Sequence, residues 1–497
     1  MTLARKFAKL TSMDLRKHWT MQKLAQAAAG KLLQGAREAP VKGVGIDSRK
    51  LRKGDVFWAL EGARHGDEFV EDAFINGAAG AVVSKPLPFA DVSKHFALIQ
   101  VGRGLASLTR FAAAHRALFP KLKVVAVTGS NGKTSTKEMI ARVLAKKGKT
   151  VQTVGNFNNE IGCSLSLLEI DDVHEFGVFE LAARKKGDIE PLTKLVGPQV
   201  AVLTNISGAH LETFGSVENV WQTKSEILKG LGPGGCVIYW AEDPWLAKLP
   251  ALGLPRKHLS FGFGPSAHVR GMVRALSSES VTVEVFYQAE SLGTVALKVI
   301  GDGPVRNALA AVACGLHFGV KVKDIFAALA SFEPVAMRGE RLYLGSQVFD
   351  KQYVVVNDAY NANPESMYDS VMGFLRAYRS GGRILVLGEM RELGLDEVRL
   401  HSDTATRILQ SAQEQGLTDA QTVFIFTGGV AANAMAAVMH AAPKETRAYE
   451  SFYAPRGEVF ALIKSKMFLN KPPCAVFFKA SRAEALEDII HEVKKEF

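Results

Sequence analysis

Gly129-Ser130-Asn131-Gly132-Lys133-Thr134-Ser135 is a short glycine-bounded turn that ends in a lysine and two hydroxyls. Residues of these types, at this spacing, suit a phosphate ester. The common phosphate loop, G-x-x-x-x-G-K-[ST], needs a glycine five residues before Gly132, and that position is Val127. The shortened G-x-x-G-K-T keeps the physics. Its glycines let backbone N–H groups converge on an anion at the positive end of a helix. Lys133 can reach the outer phosphates of a nucleotide, and the Thr134 hydroxyl can hold Mg2+.

Such a loop works only between a strand and a helix. Val124 to Val127 form one apolar run, so Lys123 to Thr128 is predicted to be a buried strand. After Lys133 the residues Met139, Ile140, Val143 and Leu144 share one helical face, with Lys137, Glu138 and Arg142 off it. The bland alternative is an ordinary strand-to-helix turn.

Further polar clusters follow apolar runs. Gly155-Asn156-Phe157-Asn158-Asn159-Glu160-Ile161-Gly162 is dense in amides and suits a sugar-like or phosphate ligand, or else a turn with a helix cap. Glu180 ends an apolar run, where a carboxylate could take Mg2+ or simply face solvent. His210 follows a strand expected over residues 199–206, and Lys224 lies on a helical stretch with Trp221 and Ile227. Asp358 ends another strand, and Tyr360, Asn361 and Asn363 line the loop before Pro364.

A chain of 497 residues suggests about three domains. Pro120 and Pro334 fall at composition breaks, giving segments 1–120, 121–335 and 336–497. The first reads as short strands, with a helix over 71–77, a loop at Pro86 and Pro88, and a helix over 103–118. The second alternates strands and helices to a last helix over 324–332, and the third repeats a βα rhythm through YVVVNDAY, RILVLGEM, TVFIFTGG and CAVFFKAS. The fold class expected is α/β, with parallel sheets and ligands beyond the carboxyl ends of their strands.

Hydrophobic residues make up 47% of the chain and charged ones 22%, enough for sizeable cores. Cys163, Cys236, Cys314 and Cys474 form no C-x-x-C pair, which argues against zinc and disulfides and for a reducing, cytoplasmic setting. No apolar run is long enough to cross a bilayer. The basic start (Arg5, Lys6, Lys9, Arg16, Lys17) lacks a signal core and reads as a solvated extension or a start upstream of Met13. A formal charge of +11 suits anionic ligands in general. A nucleic-acid-stimulated ATPase would use that charge too, but it would need the longer loop and a paired acidic strand end.

Taken together, the phosphate loop, GNFNNEIG, TNISGAHLETFGS with its later QTKSEI, DAYNANPESM and LGEMRELG resemble the Mur ligases in order and spacing, from about Trp19 onward. DAYNANP discriminates most within the family, and neither D-Y-A-H-x-P-D nor D-N-P-R occurs. The resemblance implies three domains: a UDP-sugar-binding one, a central P-loop-type ATPase, and a C-terminal Rossmann-like one. It implies an ATP-dependent peptide ligase that works through an acyl phosphate. Its substrates would be a UDP-N-acetylmuramoyl-tripeptide and D-alanyl-D-alanine, with no nucleic acid, and the chain is expected to be a monomer.

Residue by residue, the resemblance puts Thr134 and Glu180 on one Mg2+ and His210 with a carbamylated Lys224 on a second. Lys133, His210 and Lys224 would be catalytic. Asn307, Arg338 and Asp358 match ATP contacts, Ser48 and Arg49 the UDP site, and Asn158 and Asn159 the sugar-peptide site. Tyr360, Asn361 and Asn363 would face the incoming dipeptide. A sister ligase with another amino substrate, and a non-enzymatic binder of the UDP-sugar peptide, remain as alternatives. For Lys224 the plainer alternative is a lysine that neutralises Glu226 or a phosphate. Three positions depart from the family pattern: Ala182 for glycine, Gly303-Pro304 before Asn307, and Ala480 in Lys479-Ala480-Ser481-Arg482.

Overall fold

The structure is a computed structural model that describes residues 14–85, 95–232, 234–253, 257–345, 352–442, 448–469 and 474–496. Arg5, Lys6, Lys9 and Met13, and the loop expected at Pro86 and Pro88, lie outside the described residues. Three sheets organise the rest, of five, nine and six strands.

In the first, the strands run in spatial order Lys31–Gln34, Ala97–Gln100, Gly80–Val83, Val56–Trp58, Val44–Gly45. Only the first pairing is antiparallel. The helix Gly104–Ala117 that follows turns Leu108, Phe111 and Ala112 inward, as its 3.6-residue period requires.

The central sheet carries the phosphate loop. Lys123–Thr128 lies between Phe176–Glu180 and Val200–Leu203, all parallel. All three are buried almost throughout, which explains their unbroken apolar runs. Register sets the site: Val127 pairs with Glu180 and Thr128 with Leu203. The loop, the carboxylate and the segment after Leu203 therefore leave the sheet at one level.

The βα alternation expected across the central segment is incomplete. Val269–Leu276, Val281–Tyr287 and Glu290–Leu297 form an antiparallel meander at the sheet's far edge. Its signal was legible in VTVEVFY, whose alternate residues are buried, and its turn uses positive φ at Gln288 and Ala289.

The third sheet runs Glu340–Gly345, Gln352–Asn357, Cys474–Lys479, Gly382–Leu387, Thr422–Phe426, Glu450–Tyr453. It is parallel apart from its first strand, which pairs antiparallel at the edge. Helices Pro364–Ala377, Glu397–Glu414 and Val430–Ala441 cover one face. Among the described residues no helix is long and apolar enough to cross a membrane.

Candidate active site

The phosphate loop is pinned from one side by the segment after Leu203. Ser130 N–H donates to Asn205 O (3.0 Å), Asn131 N–H to Asn205 Oδ1 (2.8 Å), and the Thr204 hydroxyl to Asn131 O (2.6 Å). Ser130 Oγ donates to Ser207 O (3.0 Å). Gly129 and Gly132 have φ of +147° and +79°, and a Cβ on either would collide, with Thr204 Oγ1 and with Asn307 Oδ1 respectively. Both glycines are thus required by close approach as well as by φ. Asn307, on helix Asp302–His317, is brought against the loop.

Lys133 opens helix Lys133–Leu144 and folds back over its own loop, donating to Gly129 O (2.7 Å) and Ser130 O (2.9 Å). Those carbonyls hold the ammonium over its own loop. Burial pushes the Lys133 amine down to about 8, with the Arg338 guanidinium acting the same way and Glu180 opposing.

Glu180 is almost fully buried. One of its oxygens accepts from Asn158 Nδ2 (2.7 Å), and the other is buried with no hydrogen-bond partner. A buried carboxylate oxygen left open is costly unless a donor or cation meets it. That open oxygen fits a hard cation such as Mg2+.

Lys224, the last residue of helix Val217–Lys224, is also nearly fully buried. Its Nζ lies 5.7 Å from the Phe214 ring centre, and it makes no hydrogen bond or ion pair among the described residues. Glu226 is not its partner. That carboxylate caps helix Ile189–Val196, accepting from the N–H groups of Gly187, Ile189 and Glu190 at 2.7, 3.1 and 3.1 Å. Burial, then the Lys133 charge, bring the Lys224 amine down to about 7 against the pull of Asp188, Glu226 and Glu180.

His210 sits in the left-handed region (φ 56°) at the start of helix Leu211–Phe214. Its Nδ1 meets Glu392 of the third domain, and Glu212 N–H donates to Glu392 O (3.1 Å). Burial and the nearby Lys133 charge lower the His210 imidazole, while Glu392 raises it. Beside this pair a cleft of about 880 Å3 is lined by Leu211, Glu212, Gly215, Arg391, Glu392 and Leu395, among others. Its size is that of a small-molecule site.

The third domain delivers the remaining residues. Asp358 accepts from the buried Lys479 ammonium (2.7 Å), which also donates to Asn361 O (3.2 Å). The Arg338 guanidinium lies 3.9 Å from the Tyr360 ring centre. Asn363 caps helix Pro364–Ala377 through Ser366 N–H (2.9 Å) and exchanges two side-chain hydrogen bonds with Asn131 of the phosphate loop, at 2.8 and 3.2 Å. Asn159 likewise caps helix Glu160–Leu167, accepting from Gly162 N–H (2.9 Å). Ser48 and Arg49 stay in the first domain, where Arg49 donates twice to Asp47 (2.9 and 3.0 Å).

The three departures from the family pattern are accommodated locally. Ala182 needs no positive φ. Pro304 falls in the first turn of helix Asp302–His317, where its missing N–H has no intrahelical acceptor. The Ala480 methyl faces Gly388, on which a Cβ would come within 2.7 Å.

Comparison with known proteins places the chain as a whole. Residues 127–315 match the Mur ligase middle domain. Over 478 residues the chain is 31% identical to the UDP-N-acetylmuramoyl-tripeptide–D-alanyl-D-alanine ligase of Bacillus subtilis, covering 95% of this chain and 98% of that one. It is similar to the crystal structure of MurF from Acinetobacter baumannii, with a TM-score of 0.82, 28% identity and coverage of 96% and 99%. MurF ligase from Thermotoga maritima in complex with ADP matches with a TM-score of 0.74, 28% identity and coverage of 91% and 97%. The chain belongs to the Mur ligase family.

Proposed function

We infer that the phosphate loop, Glu180 and Lys224 are the working parts of an ATP-dependent ligase that joins D-alanyl-D-alanine to a UDP-N-acetylmuramoyl-tripeptide. The observation that carries this reading is a phosphate loop facing a buried, open carboxylate oxygen, within a chain similar along almost its whole length to ligases of that name.

A carboxylate oxygen is a poor leaving group. Phosphorylation by ATP corrects this, giving an acyl phosphate that the dipeptide's amine attacks; the tetrahedral intermediate then loses phosphate. The first step brings two anions together, so positive charge must be in place before reaction. Lys133 and the loop's N–H groups supply it from this chain. Mg2+, held by Thr134, Glu180, His210 and a carbamylated Lys224, would add charge between the reacting anions. Two ions suit this donor set. The carbamate is supported by a buried lysine without an anionic partner, whose neutral amine can take up CO2 and release a proton. Short carboxylic acids should then rescue Lys224→Ala; rescue by small amines alone would contradict the carbamate.

The three segments take separate tasks in this reading. Residues 1–120 hold the UDP group with Ser48 and Arg49, and 121–335 bind ATP through residues 129–135 and Asn307. Residues 336–497 bring Arg338 and Asp358 to the nucleotide and Tyr360, Asn361 and Asn363 toward the dipeptide. Asn158 and Asn159 lie on the sugar-peptide side. Four free, buried cysteines support a reducing compartment, and so a cytoplasmic one. The chain is taken to act as a monomer.

The test is phosphate release from ATP with UDP-N-acetylmuramoyl-tripeptide, with and without D-alanyl-D-alanine. Release should need both. Equal activity with single amino acids would move the chain to a sister ligase.

A further inference from the structure

Lys137 is a lysine with no exposure to solvent. It lies one turn beyond Lys133 on helix Lys133–Leu144. An ammonium has three N–H donors, and each of these has an acceptor. Nζ donates to Thr153 O (2.6 Å) and Gly155 O (3.3 Å) and pairs with Glu138 Oε1 (2.8 Å). Glu138 is itself tied back by Gln152 Nε2 (3.0 Å). Burying a charge this completely is unfavourable unless its surroundings fix it, and these do.

What the ammonium holds is the entry to the amide-rich loop. Thr153 Oγ1 accepts from Glu180 N–H (3.0 Å), so the same residue touches the strand end that presents the open carboxylate. Gly155, in the left-handed region at φ 57°, starts the turn. The loop then returns, with Asn158 Nδ2 on Glu180 Oε1 and Ala182 N–H on Asn158 O (2.9 Å). The helix that bears Lys133 at its start is therefore bolted to residues 153–155 through one charge.

We propose that Lys137 is a positioning residue for the ligation: it sets the amide-rich loop at a fixed distance from the phosphate helix, so that the UDP-sugar peptide's carboxylate is presented to the nucleotide. This rests on the reading of that loop as part of the peptide site. Lys137 touches neither substrate and acts through the carbonyls it holds. The loop can be displaced while the phosphate loop stays intact, because Gly129 to Asn131 are pinned independently by Thr204, Asn205 and Ser207.

Lys137→Met keeps the stem and removes all three donors; Lys137→Arg keeps the charge and changes its reach, and serves where the methionine variant does not fold. Both should raise the KM for UDP-N-acetylmuramoyl-tripeptide by about tenfold or more. Affinity for a nonhydrolysable ATP analogue, measured without peptide, should be unchanged. Amide hydrogen exchange should speed up over residues 154–158 and not over 129–134. A matching fall in nucleotide affinity, or wild-type KM and exchange in the variants that fold, would overturn the positioning role. Asn158→Ala separates the two layers. If it leaves the peptide KM unchanged, the loop is not a peptide site and the inference falls with that reading. If it raises KM while the Lys137 variants do not, the positioning role alone is lost.

Discussion

The two seams between domains are built from different chemistry. Between the first and second domains one apolar core runs through without a break, from Leu15, Trp19, Leu108 and Phe111 to Leu122, Leu165, Leu168 and Ile170. Polar contacts ring that core: His115, held within the first domain by Trp19 Nε1 (2.9 Å), donates from Nε2 to the buried Ile170 O (3.0 Å), Arg116 donates to Val196 O (3.1 Å), and Lys17–Asp172 and Thr109–Glu160 lie at the exposed rim. Between the second and third domains the contacts are ion pairs and amides. Arg306 meets Asp369, Arg376 meets Asp302 (2.9 Å), His210 meets Glu392, and Asn131 meets Asn363. The third domain keeps its own apolar cores.

An apolar core that crosses a boundary must be exposed to water if the boundary opens, at a cost proportional to its area. Partly exposed ion pairs such as Arg376–Asp302 and His210–Glu392 exchange partners with water at little cost, and Arg306–Asp369 is the more buried of the three. The first seam is a fixed mount, and the second is the one able to open. The chemistry proposed above lies at the second. Gly301 and Gly373 abut there, and a Cβ on Gly373 would come within 2.6 Å of Gly301 Cα, so backbone meets backbone with no side chain to interlock.

If the comparison holds, substitutions at the first seam cost stability and those at the second cost rate. Phe111→Ala, in the crossing core beside Trp19 and Trp58, should destabilise by about 3–5 kcal/mol. Calorimetry should show the first two domains melting together at lower temperature and the third unmoved. If the third shifted equally, the seams would not differ.

Lys133→Ala should lower turnover by about a hundredfold or more with no change in melting, since the lysine acts on phosphate charge. Activity within a few-fold of wild type would remove the phosphate loop from the chemistry.

The fixed mount should also respond to acid. Burial brings His115 down to about 4 from 6.5, against the pull of the Ile170 carbonyl and Asp171 and with His18 acting in the same direction. Between those values the unfolded chain binds a proton that the folded one refuses, so stability is full above pH 6.5 and falls as pH drops toward 4. The loss from this residue is about 3 kcal/mol. Denaturation measured across that window in wild type and His115→Gln should show a shallower slope in the variant; equal slopes would contradict the assignment.

The smallest effect is expected from Arg376→Met. Its partner Asp302 is half-exposed, so stability should change by at most about 1 kcal/mol.

These seams also mark where the sequence could be read and where it could not. The phosphate loop, its strand and its helix were legible because each is local: an apolar run, two glycines and a 3.6-residue period lie within 123–144. Asn363-Pro364-Glu365-Ser366 carries a helix cap in plain view, a local signal that stands beside the reading of Asn363 toward the dipeptide. What could not be read is long-range. Glu392 reaches His210, Lys479 reaches Asp358 and Asn363 reaches Asn131 across 182, 121 and 232 residues, and no spacing rule connects them. Within TNIS nothing local marks Thr204, Asn205 and Ser207 for a role, because only sheet register shows that they face the loop.

The central claim is that ATP activates a peptide carboxylate at the second seam. Tripeptide substrate carrying 18O in its terminal carboxylate tests it directly. Turnover with ATP and D-alanyl-D-alanine should place one 18O in each phosphate released, because the acyl oxygen leaves with phosphorus. Phosphate free of the label, with the pentapeptide still formed, would contradict the acyl phosphate and the role given to the loop.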